Sequence, residues 1–286
     1  MGRHEPAPHL VAFDLDGTAL AASNRMPPRT REALEAAHRM GCLVVVATGR
    51  ALSMVPAFLR EAPWVDYLIV SNGARVVRAR TGETIYSRVI PPDLAAAVME
   101  ANPEAAWEVL FPDGCVAEWR SYFRYRDYRG RPNWSLSRLR AWLTMFRPVW
   151  SAAAVVRRQG RPVEKLNGIF RDQASAARAL QRIRAQGELQ VVSPRGHDVE
   201  VSARGADKGS ALAWLAGRVG VPKEGIIAFG DSENDLSMAG AAGLFVAMGD
   251  APPHIKEVAG AVAPSVDEDG LGVFLQEWLE KLASQR

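Results

Sequence analysis

Four short strings place side chains that can do chemistry. Asp14-Leu15-Asp16-Gly17-Thr18 sets two carboxylates at i and i+2 ahead of a glycine, so both can point into one crevice if the chain leaves a strand there. Ala47-Thr48-Gly49-Arg50 offers a hydroxyl and a glycine amide, a pairing able to bind phosphoryl oxygens. Gly205-Ala206-Asp207-Lys208-Gly209 carries one of only 5 lysines in a chain with 30 arginines. Gly230-Asp231-Ser232-Glu233-Asn234-Asp235 packs three acids and an amide into five residues, a dense set of oxygen ligands suited to a hard cation such as Mg²⁺. Taken singly, each string has a plainer reading: an Asx turn, a strand-to-helix turn, a solvated lysine, acids that favour a helix start. An EF-hand loop fits the first string poorly, because the later acidic positions are missing. Taken together, the acids would repel one another unless a divalent cation or a basic group offset them.

The elements needed to bring these strings together are legible. Leu10–Phe13, Leu43–Ala47, Tyr67–Val70, Ile226–Phe229 and Leu244–Ala247 read as short buried strands. Thr30–Met40, Asp207–Ala216, Glu233–Ala239 and Gly270–Leu282 read as helices between or after them. Apolar strands alternating with helices indicate a parallel sheet covered on both faces, which binds ligands beyond the carboxyl ends of its strands. The four strings sit at strand ends or helix starts. The middle of the chain differs. Hairpins are expected at Val76–Arg88 around Thr81-Gly82 and at Trp107–Trp119 around Pro112-Asp113-Gly114, with helices at Pro92–Met99 and Gln173–Gln186. The reading is therefore an α/β fold: a Rossmann-like parallel-sheet core domain, discontinuous in sequence, with an inserted α+β domain. The expected bounds are 1–78 and 193–286 for the core and 79–192 for the insert.

With 286 residues, 48% hydrophobic and 23% charged, the chain has the composition of a globular protein of about two domains. No apolar run reaches the roughly 20 residues of a membrane helix, and the short run at Leu10–Phe13 is a strand rather than a signal peptide. Two cysteines, Cys42 and Cys115, make neither a disulfide framework nor a zinc set, so a reducing cytoplasm is expected. The net charge of +3 is uneven: residues 79–192 hold 18 basic and 11 acidic side chains, and the remainder is acidic. The acidic part suits a cation and the basic middle an anion.

With their order along the chain, Asp14-Leu15-Asp16-Gly17-Thr18, Thr48, Lys208 and Gly230-Asp231…Asn234-Asp235 resemble the four motifs of the haloacid dehalogenase superfamily of hydrolases and phosphotransferases. Ser71-Asn72-Gly73-Ala74, Ala247-Met248-Gly249-Asp250-Ala251 and Asp267-Glu268-Asp269-Gly270 are similar to signatures of its Cof-type branch, class IIB, whose large α/β cap lies between the second and third motifs. Asp250 departs from the asparagine common there. The resemblance implies a Mg²⁺-dependent phosphatase that hydrolyses phosphate monoesters of small metabolites, a sugar phosphate or similar, through an aspartyl-phosphate. It implies Asp14 as nucleophile and Asp16 as acid and base. It implies Mg²⁺ on Asp14, Asp231 and the Asp16 carbonyl, with Thr48, Gly49, Lys208 and Asn234 on the phosphoryl oxygens. Asp235 would orient Lys208 or the metal shell. Asn72 would help shape the crevice, and Lys165, on an expected cap strand, would contact substrate.

The stretch Arg120–Arg147 holds eight arginines, seven aromatics and one acid, Asp127. It reads as an amphipathic segment with its aromatics packed and its arginines solvated, or as an anion-binding specificity loop. Two other functions remain open at this stage. One is a phosphomutase of the same superfamily, and the other is a nucleic-acid binder using the arginine-aromatic stretch. The expected partner is a small phosphorylated metabolite in preference to a nucleic acid, with no membrane, and the chain a monomer or homodimer.

Overall fold

The computed structural model describes residues 9–21, 24–124, 135–193 and 196–284. Fourteen strands run through these residues. In chain order they are β1 (Leu10–Phe13), β2 (Leu43–Ala47), β3 (Tyr67–Val70), β4 (Arg75–Arg78), β5 (Thr84–Ser87), β6 (Ala106–Phe111), β7 (Gly114–Glu118), β8 (Arg147–Val149), β9 (Lys165–Ile169), β10 (Leu189–Val192), β11 (Asp198–Ala203), β12 (Ile226–Gly230), β13 (Leu244–Ala247) and β14 (Ala261–Val262). They form two sheets. Eight strands take the order β14-β13-β12-β1-β2-β3-β4-β5 and six the order β10-β11-β9-β6-β7-β8.

The chain divides into two compact units, each with one sheet. The first runs through Gly49, then Pro56–Tyr86, then from Asp207 onward, and the second is Arg50–Val55 with Ser87–Ala206. In the first, β1 pairs in parallel with both β2 and β12, and β3, β13 and β14 extend the parallel set. Both faces are covered, which is why these strands are apolar throughout. Leu10, Ala12, Val45, Ile69 and Ala228 pack with Ala211, Leu212 and Leu215 of helix Lys208–Val219 and Met238 of helix Leu236–Ala241. From the opposite face Phe229 meets Phe274 of helix Gly270–Ser284 edge to face, 5.9 Å between ring centroids. That last helix lies along helix Pro28–Arg39, where a Cβ on Gly272 would stand 2.5 Å from the Arg29 and Thr30 backbone.

In the second unit the sheet is antiparallel except for the β7–β8 pair. Helices Pro92–Glu100, Ala152–Gln159 and Gln173–Ala185 each bury one apolar stripe. Ser151 and Asp172 cap the last two by accepting the N–H groups of Ala154 and Ser175. Where it is described, Arg120–Arg147 follows the amphipathic reading in part: Phe123 is exposed, and Arg124 is half-buried, donating to the Glu104 and Ile169 carbonyls. Tyr122, Trp142 and Phe146 are buried against one another, and Arg138, Arg140 and Arg147 are exposed. Tyr125, Tyr128 and Trp134 lie outside the described residues.

The units divide at different points from those expected at 78/79 and 192/193. The β4–β5 hairpin extends the first sheet antiparallel from β3, and Tyr86 packs on Trp214, 4.9 Å between centroids. The strand β11, placed in the core by sequence, pairs with β9 and β10 of the second sheet. The expected helix Glu233–Ala239 opens as a 3-10 turn, Glu233–Asp235, before the α-helix Leu236–Ala241. Among the described residues no helix is long and apolar enough to cross a membrane.

Candidate active site

The first sheet reverses its winding between β1 and β12: from β1 the chain adds β2 and β3 on one side, and β12, β13 and β14 fill the other. Ligands of open α/β sheets bind at such a switch point, beyond the carboxyl ends of the strands. Asp14 and Asp231 are the residues that leave those two ends. Their strands are in register, Phe13 beside Phe229, and the Asp14 N–H donates to the Phe229 carbonyl at 3.0 Å. The crevice forms because Gly17 (φ +84°) turns the chain back, and a Cβ there would stand 2.5 Å from an Asp231 carboxylate oxygen. Thr18 Oγ1 donates to Asp231 Oδ1 at 2.9 Å, fixing that carboxylate across the crevice.

Lys208 opens helix Lys208–Val219 and is fully buried, not a solvated surface lysine. Its Nζ donates to Asp14 Oδ1 at 2.6 Å, to Asp235 Oδ1 at 2.6 Å and to Asn234 Oδ1 at 3.3 Å. An ammonium has three N–H donors, and the bond to Asn234 is the longest of the three that Lys208 makes here. Asp235 is itself fixed: its Oδ2 accepts the N–H groups of Asp231 and Ser232, both at 3.0 Å, and the Ser232 hydroxyl at 3.1 Å. Gly230 and Gly209 allow this approach. A Cβ on Gly230 would stand 2.5 Å from Asp235 Cβ, and one on Gly209 2.0 Å from the Ser237 carbonyl oxygen.

Oxygens of Asp14, Asp231 and Asp235 lie within 4.8 Å of one another. The electrostatics show the strain of that arrangement. Burial, with the Asp235 and Asp231 charges, pushes Asp14 up to about 8 against the pull of Lys208. Burial and the Asp235 charge push Asp231 up to about 7, opposed by the Thr18 hydrogen bond and Lys208, with Asp250 adding to the rise. Burial alone would depress Lys208, but the Asp14 and Asp235 carboxylates outweigh it and hold the ammonium charged. One ammonium does not neutralise three carboxylates, and hard oxygen donors this close suit a divalent cation such as Mg²⁺.

Thr48 is fully buried at the end of β2. Its carbonyl accepts the Asn72 N–H at 3.1 Å. Ser71, Asn72 and Gly73 all have positive φ (51°, 57° and 90°), a conformation that non-glycine residues hold only when their surroundings impose it. The turn sits tight against the start of helix Lys208–Val219: a Cβ on Gly73 would stand 2.1 Å from the carbonyl oxygen of its N-cap, Asp207. The turn aims Asn72 so that its Oδ1 accepts from Asn234 Nδ2 at 3.1 Å, while Gly49 leaves the room Asn72 needs. Asn72, Asn234, Lys208 and Asp14 thus form one hydrogen-bonded chain.

The structure therefore brings together Asp14, Asp231, Asp235, Lys208, Asn234, Asn72 and Gly49. Asp16 is exposed on the same loop, and the backbone of that loop closes on itself, Gly17 N–H to the Leu20 carbonyl and Leu20 N–H to that of Leu15. Lys165 belongs to the second unit, buried on β9 with its Nζ donating to Glu200. Two participants were missed in sequence. Thr18 is the hydroxyl that orients Asp231, and Ser232 begins a capping box with Asp235, a Ser-x-x-Asp spacing visible in the string.

Fold and site define the class first: an α/β enzyme with a discontinuous core and an acid-rich centre at the switch point of its sheet. A family model, haloacid dehalogenase-like hydrolase, matches residues 11–133 and 143–275. The chain is 26% identical over 270 residues to the 5-amino-6-(5-phospho-D-ribitylamino)uracil phosphatase YcsE of Bacillus subtilis (strain 168), spanning 94% of this chain and 95% of that one. It is 29% identical over 293 residues to the phosphatase YwpJ of the same organism, spanning 94% and 99%. The fold is shared with a subclass IIB sugar phosphatase, BT4131, at a TM-score of 0.76 and 24% identity over 94% of this chain and 98% of that one. The chain belongs to the haloacid dehalogenase-like hydrolases and is an enzyme of that phosphatase class.

Proposed function

We propose that the protein is a Mg²⁺-dependent phosphatase of small phosphorylated metabolites that works through an aspartyl-phosphate on Asp14. The observation that carries this reading is the buried Lys208 ammonium bridging Asp14 and Asp235 opposite Asp231 at the switch point. Mg²⁺ would be held by Asp14, Asp231 and the main-chain carbonyl of Asp16. When bound it neutralises carboxylate and phosphoryl charge, which lets an anionic nucleophile approach an anionic ester.

An Asp14 oxygen forms a bond to phosphorus as the phosphorus–leaving-group bond breaks, and Asp16 gives its proton to the departing oxygen. Asp16 then takes a proton from water, whose oxygen attacks phosphorus and displaces the Asp14 carboxylate. Both halves need Asp16 on the open side of the crevice, and its exposure fits that task. Lys208, Asn234, Thr48 and the Gly49 N–H hold the other phosphoryl oxygens, where charge grows in the transition state. Asp235 positions Lys208. Asn72 positions Asn234 through its amide.

Phosphate release from a panel of phosphorylated metabolites, with Mg²⁺ and with EDTA, tests this directly. Metal-dependent release that disappears in Asp14→Asn is expected. Release that ignores both EDTA and the substitution would refute the reading.

A further inference from the structure

The first unit holds a cavity at the end of its sheet opposite the catalytic centre. Its volume is about 580 Å³, inside the range of about 300–1,000 Å³ typical of small-ligand pockets. The described lining residues all belong to the first unit and come from the start of β2, the stretch 60–67 and the stretch 78–80. Leu43 and Tyr67 open β2 and β3, so the cavity lies at the amino ends of these parallel strands. The catalytic strings leave from the carboxyl ends, Thr48 after Ala47 and Ser71-Asn72 after Val70. Strands of four or five residues run roughly 13–17 Å, and that length separates the cavity from the phosphoryl chemistry.

The wall suits an anion. Arg60, Arg78 and Arg80 line it. Arg60 is half-buried and Arg80 exposed, and neither guanidinium has a hydrogen bond or ion pair among the described residues. Arg78 pairs with exposed Glu83 at 3.2 Å, and its guanidinium lies 5.9 Å from the centre of the ring of Tyr67, its register partner. Two acids share the wall, Glu61 and Asp66. Asp66 is engaged elsewhere: its Oδ2 accepts the Val44 N–H at 2.8 Å and lies 3.4 Å from His38 Nδ1. Glu61 is exposed. Two unpaired guanidiniums against the Glu61 carboxylate leave a positive balance, which attracts an anion. A guanidinium offers a planar fork that matches two phosphate oxygens and a flat face that stacks on rings. The rest of the wall is apolar, from Leu43, Ala62, Pro63, Val65 and Ala79.

We propose that this cavity is a second ligand site, separate from the catalytic centre, for a phosphate monoester carried on a flat ring system, the chemistry of a nucleoside monophosphate. Arg60 and Arg80 take the phosphate. The ring lies against Tyr67 and the apolar wall. The site is independent of the phosphatase reading and uses none of the residues of that reading.

Calorimetric titration with adenosine 5′-monophosphate tests it, with EDTA present to suppress turnover and with adenosine and inorganic phosphate as comparison ligands. Wild type is expected to bind the monophosphate about tenfold or more tightly than either comparison ligand, because only the monophosphate meets both the arginines and the apolar wall. Arg60→Ala, and independently Arg80→Ala, is expected to weaken that binding about tenfold or more, as loss of a charge-assisted contact does. Neither guanidinium is bonded in the free protein, so the Tm of both variants should match wild type, and weaker binding then reports the site and not the fold. Asp14→Asn is expected to leave the affinity unchanged. Absence of binding to wild type at millimolar monophosphate overturns the inference, as does equal affinity in wild type and both arginine variants. An affinity that changes in Asp14→Asn and holds constant in the arginine variants puts the nucleotide in the catalytic centre and overturns it too.

Discussion

Replacing Asp235 by asparagine removes one charge from the centre of the site and almost no volume. Asp235 is fully buried, and its two oxygens serve different partners: Oδ1 accepts Lys208 Nζ at 2.6 Å, and Oδ2 accepts two backbone N–H groups and a hydroxyl. An asparagine can satisfy one side only. Its NH₂ must then face either the ammonium or the N–H groups of Asp231 and Ser232, donor against donor. Losing a charge-assisted hydrogen bond costs about 1.5–3 kcal/mol. Breaking a buried ion pair costs about 3–5 kcal/mol when the other charge is left alone. Lys208 keeps Asp14, so the expected destabilisation lies where these ranges meet, about 3 kcal/mol. Because Lys208 loses a fixed support, turnover should fall about 10–100-fold, the usual effect of removing a group that orients a reacting one. Urea unfolding in EDTA measures the first effect and phosphate release with Mg²⁺ the second. A variant within about 0.5 kcal/mol of wild type with nearly full turnover would refute the idea that Asp235 anchors Lys208.

Other expectations follow from the same geometry. Lys208→Ala should lower kcat/KM by about 10²-fold or more, as loss of an oxyanion-stabilising donor does, and a near-normal rate would remove Lys208 from the phosphoryl site. Metal-free stability should fall as pH rises. Asp14 and Asp231 have folded-state values near 8 and 7, above the ordinary 3.8, so the folded protein binds more protons than the unfolded chain between about pH 4 and pH 8. Mg²⁺ must displace those protons, so its gain in Tm should be larger at pH 8 than at pH 6; a gain that is flat or shrinks with pH would contradict the assigned ligands. Gly17→Ala and Gly41→Ala both place a side chain at positive φ, but only at Gly17 does the new Cβ meet anything, an Asp231 oxygen at 2.5 Å. Both should lose about 1–2 kcal/mol on thermal unfolding, and only Gly17→Ala should also lose metal-dependent phosphate release.

The strands of the first sheet were legible because each is a short, continuous apolar run with a chemically distinct string at its end. Leu10–Phe13 before Asp14 and Leu43–Ala47 before Thr48 needed no partner to be recognised. The division between units was less legible, because β5 and β11 look alike as isolated strands and only their pairing, with β4 or with β9, assigns them. Lys208 illustrates a different limit. Its type and position in the string were visible, but its complete burial depends on Asp14 and Asp235 arriving from 194 and 27 residues away. The bond between Asn72 and Asn234 spans 162 residues and requires a left-handed turn that local pattern does not announce.

The central claim is that Asp14 carries the phosphoryl group during turnover. Acid quenching of wild type mixed with substrate and Mg²⁺, followed by peptide mass mapping, measures this directly. The account predicts a phosphorylated peptide containing Asp14, enriched when Asp16→Ala slows the second step on an activated ester and absent in Asp14→Asn. Phosphate released at full rate with no label on Asp14, or with the label on another residue, would contradict it.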